Sequence, residues 1–136
     1  MVGARRARVV AATLAAAAVG LTVVACSSDN DASTDTTAVQ RGAAAASQQG
    51  CTTCHGDKGQ GGVGPAWQGL AGSTVELGDG TDVVADSDYI RRSIVDPQAD
   101  RVADYTAQMP QFDLSDDEVD ALVAYIESLG MTVAGN

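Results

Sequence analysis

The sequence predicts a mainly α fold with a small β-hairpin inserted among its helices. Three observations carry this. Residues 115–130 open on a capping box and continue with apolar residues at helical spacing. Asp86-Ser87 offers an N-cap ahead of a second, shorter amphipathic stretch. Between these and the N-terminal half, Thr74 to Val84 alternates around Gly78-Asp79-Gly80, the pattern of a hairpin. At 136 residues the chain has room for one domain, or one domain plus a processed end.

Taken in order, the first segment reads as an export signal. Arg5, Arg6 and Arg8 precede an uncharged run from Val9 to Ala25, which closes on Val23-Val24-Ala25-Cys26. A transmembrane anchor needs about 20 apolar residues, and this run is short and Ala-rich. Ordinary signal-peptidase cleavage is a second reading. The best is a lipoprotein signal over residues 1–25, because small and aliphatic residues directly before a Cys resemble a lipobox, with Cys26 as the lipidated residue. Residues 26–37 follow as a polar, acidic, flexible linker with a reach of roughly 17–20 Å as coil. The folded domain is expected over residues 38–136, exported and either lipid-anchored to the outer face of the cytoplasmic membrane or in the periplasm.

Within that domain, residues 38–49 are rich in helix formers, although Gly42 costs about 1 kcal/mol relative to Ala. A Gly/Ala face is useful there only if another helix comes close. Residues 56–73 are dense in Gly and read as irregular loop. Past the hairpin, the short helix carries Tyr89, Ile90, Ser93 and Ile94 on one side and stops at Asp96-Pro97. The last helix takes Ser115 as N-cap and Glu118 at its third position. Val119, Leu122, Val123, Ile126 and Leu129 then share one face, and Gly130 ends it.

Composition narrows the function. Eight Lys+Arg against 18 Asp+Glu give a formal charge of −10, so no nucleic-acid partner is expected. Removing residues 1–25 takes away three Arg and no acid, leaving the rest more acidic still. An acidic surface serves solubility first, and also suits docking against a basic patch. Aromatics are only 4% of the chain, and large aliphatic residues are few. A domain of this size with so thin a core struggles against chain entropy, so something besides side chains is expected to fill its middle.

The one His of the chain follows directly on a Cys pair, in Cys51-Thr52-Thr53-Cys54-His55. C-x-x-C-H is the attachment signature of c-type haem. Two thiols at that spacing add to the two vinyl groups on one edge of the porphyrin, which brings the adjacent imidazole beneath the iron. A thioredoxin-like redox pair would want a βαβ setting, which is not visible. A zinc site lacks further ligands. If His55 is one axial iron ligand, the opposite donor is a Met. Met109, in a loop and followed by Pro110, is preferred over Met131, which lies past the last helix and reads as packing.

Gly50-Cys51-Thr52-Thr53-Cys54-His55-Gly56, Val63-Gly64-Pro65, Gly69-Leu70-Ala71-Gly72, Met109-Pro110 and the Leu-Val-Ala-Tyr-Ile run of the last helix resemble a class I cytochrome c. Further stretches are similar to the cytochrome c domain fused to subunit II of bacterial haem-copper oxidases. They are Ser73 to Gly80, Tyr89-Ile90-Arg91, Ser93 to Pro97 and Tyr105 to Pro110. The likeness covers about residues 39–130, with no counterpart of that subunit's copper-binding portion.

The resemblance implies a class I cytochrome c fold of three to five helices around one covalent haem c per chain. It implies that the Pro65 carbonyl accepts a hydrogen bond from His55, and that the Gly42 helix crosses the helix bearing Tyr125. Ala46 stands where relatives usually carry an aromatic, which leaves that crossing less area to bury. Trp67 and Tyr105 are candidates to line the haem pocket, but structural packing is the favoured role for each. With both axial positions filled, the expected task is single-electron transfer rather than catalysis. The partners implied are membrane redox complexes, namely a haem-copper oxidase as acceptor and a quinol:cytochrome c reductase. A cytochrome subunit of an exported dehydrogenase is an alternative. A different class is a haem-based gas sensor or weak peroxidase, reached if Met109 were displaced.

Overall fold

A computed structural model describes residues 30–130. The expected signal segment, Cys26 and Met131 lie outside the described residues. The elements in chain order are helix α1 (Asn30–Gln48), the one-turn helix α2 (Thr52–His55), strands β1 (Thr74–Glu76) and β2 (Asp82–Val84), and helices α3 (Ser87–Val95) and α4 (Asp116–Gly130). Among the described residues no helix is long and apolar enough to cross a membrane.

Helix α1 starts well before the expected position 38 and takes in residues 30–37, the larger part of the segment expected as coil. The flexible-linker reading is corrected over those residues. Nucleation is the costly step of helix formation, and the Ala-rich centre of α1 provides it. Extension then adds about one hydrogen bond per ordered residue, even through a polar sequence.

What fixes α1 is its crossing with α4. A Cβ on Gly42 would overlap the carbonyl oxygen of Ala121 and stand 2.6 Å from the Cβ of Tyr125, so only Gly lets the two helices come this close. One turn further on, Ala46 is fully buried in the same seam. The small residues that looked like a thin stripe form a close-contact surface, which offsets the area an aromatic at position 46 would bury.

The capping box of α4 forms as its residues suggest. Glu118 accepts from the Ser115 backbone N–H at 2.9 Å and from its hydroxyl at 2.8 Å, while the Ser115 hydroxyl accepts from the Glu118 N–H at 3.4 Å. Val119, Leu122, Val123 and Ile126 are buried, and Leu129 packs partly buried beside them. Gly130 is the last helical residue, set close to Ala71. Asp86 caps α3 by accepting from the Tyr89 N–H at 2.8 Å. Tyr89, Ile90 and Ile94 are buried on the expected face. The helix ends before Pro97, which has no N–H to continue it.

The hairpin pairs antiparallel, Thr74 with Val84, Val75 with Val83 and Glu76 with Asp82. Its turn is closed by Asp79, whose carboxylate accepts from the Thr81 N–H at 2.9 Å, with Gly80 at φ 83°. One feature had no sequence signal. Residues 101–103 lie along the hairpin as a partial third strand, with Leu77 bridged to Val102, Gly78 N–H donating to the Arg101 carbonyl at 2.8 Å, and Ala103 N–H donating to the Glu76 carbonyl at 2.9 Å.

Candidate functional site

The single turn of α2 carries the sequence motif. Cys51 stands at its N-cap with helical dihedrals, and its N–H donates to the Ala46 carbonyl at 2.9 Å, which joins the motif to the end of α1. Residues three and four apart on a helix share a face, so Cys51, Cys54 and His55 point the same way. Both cysteines are free thiols, Cys51 buried and Cys54 half-buried. Burial pushes the Cys51 thiol above its ordinary pKa, with the charge of a Cys54 thiolate adding a smaller push, so Cys51 is held protonated.

His55 is 7% exposed and fixed on two sides. Its Nδ1–H donates to the Pro65 carbonyl at 2.7 Å, which leaves Nε2 as the free lone pair. Its ring stacks on Trp67, with centroids 4.6 Å apart and planes 20° from parallel. Tyr125 of α4 meets Trp67 edge-on at 6.1 Å. Burial pulls the imidazole pKa below its ordinary value, against a smaller opposing effect of the Pro65 bond, and so favours the neutral ring that can donate a lone pair.

The glycine-rich loop that had no regular reading wraps this imidazole. Gly64 N–H donates to the Cys54 carbonyl at 2.9 Å and Gly61 N–H to the His55 carbonyl at 2.7 Å. A Cβ on Gly64 would stand 2.8–3.1 Å from three ring atoms of His55, so this position needs a glycine to admit the ring.

Cys51, Cys54, His55, Pro65 and Met109 all line one cavity of about 500 Å³. The volume lies within the range of about 300–1,000 Å³ typical of sites that enclose an organic ligand. Ile90 and Ile94 of α3, Leu122 and Ile126 of α4, and Leu70, Val63 and Phe112 from the loops supply its apolar walls. The thin core is thus a shell around an interior space. Met109 is half-buried on an irregular segment between residues 104 and 114, more than fifty positions from the cysteines in sequence.

This donor set fits a covalently held haem: two thiols on one edge, a neutral imidazole with its outer nitrogen anchored, a thioether from a separate segment, and apolar walls between. Trp67 and Tyr105 both line the cavity, the less favoured of the two roles read for them from the sequence. Sequence reasoning missed Arg101, the cavity's one basic lining residue among those described, and the cavity-facing placement of Tyr89. Arg101 is positioned by the unforeseen third-strand contacts, while Tyr89 was visible only as part of an apolar helix face.

A comparison with curated proteins returns no match. Residues 39–130 match the family model described as Cytochrome c. That match spans most of the chain, and the chain belongs to the cytochrome c family: it binds haem c and carries electrons by way of it, rather than acting as a catalyst by itself.

Proposed function

We propose that this protein is a membrane-tethered carrier of single electrons in which His55 and Met109 take the two axial positions of the haem iron. The observation that carries the reading is that both donors, from distant segments, line the same cavity as Cys51 and Cys54. Haem c supplies a one-electron couple between ferrous and ferric iron. The residues around it do the rest. The Pro65 carbonyl holds the His55 ring in one tautomer and orientation and raises its donor strength. Trp67 blocks ring rotation on the other side. The Met109 thioether is a soft donor that favours the ferrous state, and its presence closes the site to small molecules. The apolar walls exclude water, and Arg101 offers a counter-charge to a carboxylate of the macrocycle.

Our reading of the partners follows from the sequence resemblance. Electrons would arrive from a quinol:cytochrome c reductase and leave to a terminal haem-copper oxidase. Lipid on Cys26 would raise the local concentration beside such complexes, at the outer face of the cytoplasmic membrane. An acidic exterior suits a basic docking face, since 18 acids outnumber eight bases. Carbon monoxide titration of the reduced protein separates this reading from a gas sensor. No binding at neutral pH is expected of a closed site. Rapid stoichiometric binding would favour the sensor.

A further inference from the structure

The segment that carries Met109 is held in an unusual way. Among the described residues, positions 105–114 lie in no helix or strand, and past the turn at Ala103-Asp104 no backbone–backbone hydrogen bond holds them. Asp104 closes that turn at φ 64°, a left-handed conformation. Two side chains make the polar connections instead. Gln98 Nε2 donates to the carbonyl oxygen of Met109 itself at 3.0 Å. Gln111 Nε2 donates to the carbonyl of Val95 at 3.3 Å. Val95 is the last residue of α3, where helical carbonyls lose their own partners, and Pro97 has no N–H to offer them. One strap reaches out from just past α3 to Met109, and the other reaches back from beyond Met109 to α3. Helix α3 is itself anchored by its Asp86 cap and by Ile90 and Ile94 in the cavity wall.

We propose that Gln98 and Gln111 are positioning residues, a pair of amide straps that hang the Met109 segment on the C-terminal end of α3 and set how readily Met109 leaves the cavity. This rests on the reading of Met109 as an axial ligand. A segment without a backbone ladder opens at a cost set by its few remaining ties. An outside ligand that needs the open form binds with an affinity reduced by the fraction open. Loosening a strap therefore raises that apparent affinity while leaving the haem attached through Cys51 and Cys54.

The test is imidazole titration of the ferric protein, followed by loss of the weak near-red absorption of an iron–thioether bond. Gln98→Leu and Gln111→Leu keep the bulk of each side chain and remove its donor. Each is expected to raise apparent imidazole affinity by roughly two- to tenfold, the range for loss of one neutral hydrogen bond. The double variant is expected to approach the product of the two. Gln40→Leu, on the exposed side of α1, is expected to leave the affinity unchanged. A urea midpoint equal to wild type in each strap variant shows that the segment, not the whole fold, was loosened. If Gln98→Leu itself folds poorly, Gln98→Glu keeps the side chain's size and polarity and removes the donor, with the same direction expected. Should wild type show the near-red band and both strap variants bind imidazole as wild type does, the straps are overturned and the axial reading stands. Should wild type lack the band, the axial reading fails and takes the straps with it.

Discussion

Replacing Gly42 with Ala tests the α1–α4 crossing by the sign of its effect. Helix propensity alone predicts that Gly42→Ala stabilises by about 1 kcal/mol. The structure predicts the reverse. The new Cβ would overlap the Ala121 carbonyl oxygen and stand 2.6 Å from both the Ala121 carbonyl carbon and the Tyr125 Cβ. Those atoms belong to the α4 backbone or are fixed to it, so no rotamer change relieves the overlap and the helices must part. Overpacking costs about 1–3 kcal/mol. Taking the upper end because backbone must move, and subtracting the propensity gain of about 1 kcal/mol, leaves a net loss of about 2 kcal/mol. At about 4–8 °C per kcal/mol for a domain of this size, the midpoint falls by roughly 8–16 °C. The assay is thermal unfolding of the haem-loaded protein followed by far-ultraviolet circular dichroism. Ala44→Gly, at an exposed position of the same helix, is expected to lose only the propensity difference of about 1 kcal/mol. A Gly42→Ala midpoint above wild type would refute the close crossing.

Two other outcomes follow from named residues. Hydrogen bonds from the Ser115 backbone and hydroxyl hold the Glu118 carboxyl below its ordinary 4.5. A depressed folded-state pKa contributes stability that is full above the ordinary value and is lost as pH falls through the folded one, so Glu118→Gln should show a shallower stability decline on acidification below about pH 4.5 in acid-unfolding curves. At the N-terminus, intact mass should show lipid on Cys26 and no residues 1–25, and Cys26→Ser should release the protein from membranes; an unmodified thiol at position 26 would contradict the tether.

The parts of the fold legible in the sequence were those written in local chemistry. The α4 cap and its apolar face, the Asp86 cap and Pro97 stop of α3, and the Gly-Asp-Gly turn of the hairpin all depend on neighbours within a few residues. The Cys51-Cys54-His55 constellation was legible for the same reason, because one helical turn sets its geometry. Other features depend on tertiary approach and carry little local signal. Nothing in residues 101–103 announces a third strand, and the N-terminal extent of α1 follows from cooperativity rather than composition. The Gly42 crossing and the Pro65 bond to His55 came from family resemblance rather than from pattern, and the structure brings both pairs of groups together. Trp67 illustrates the limit best. Structural packing was its favoured role, but its stacking on His55 and edge contact with Tyr125 link the helix crossing to the imidazole, and that chain is visible only in three dimensions.

The central claim is a haem closed on both faces, with Met109 opposite His55. The most direct measurement compares the ferric near-red absorption and the reduction potential of wild type, Met109→Ala and Met131→Ala. The thioether stabilises the ferrous state, so Met109→Ala is expected to lose the band and fall in potential while keeping its covalent haem. Met131→Ala is expected to match wild type in both. A band that survives in Met109→Ala and vanishes in Met131→Ala would assign the wrong sulfur, and a wild-type protein without the band would contradict the closed-haem carrier itself.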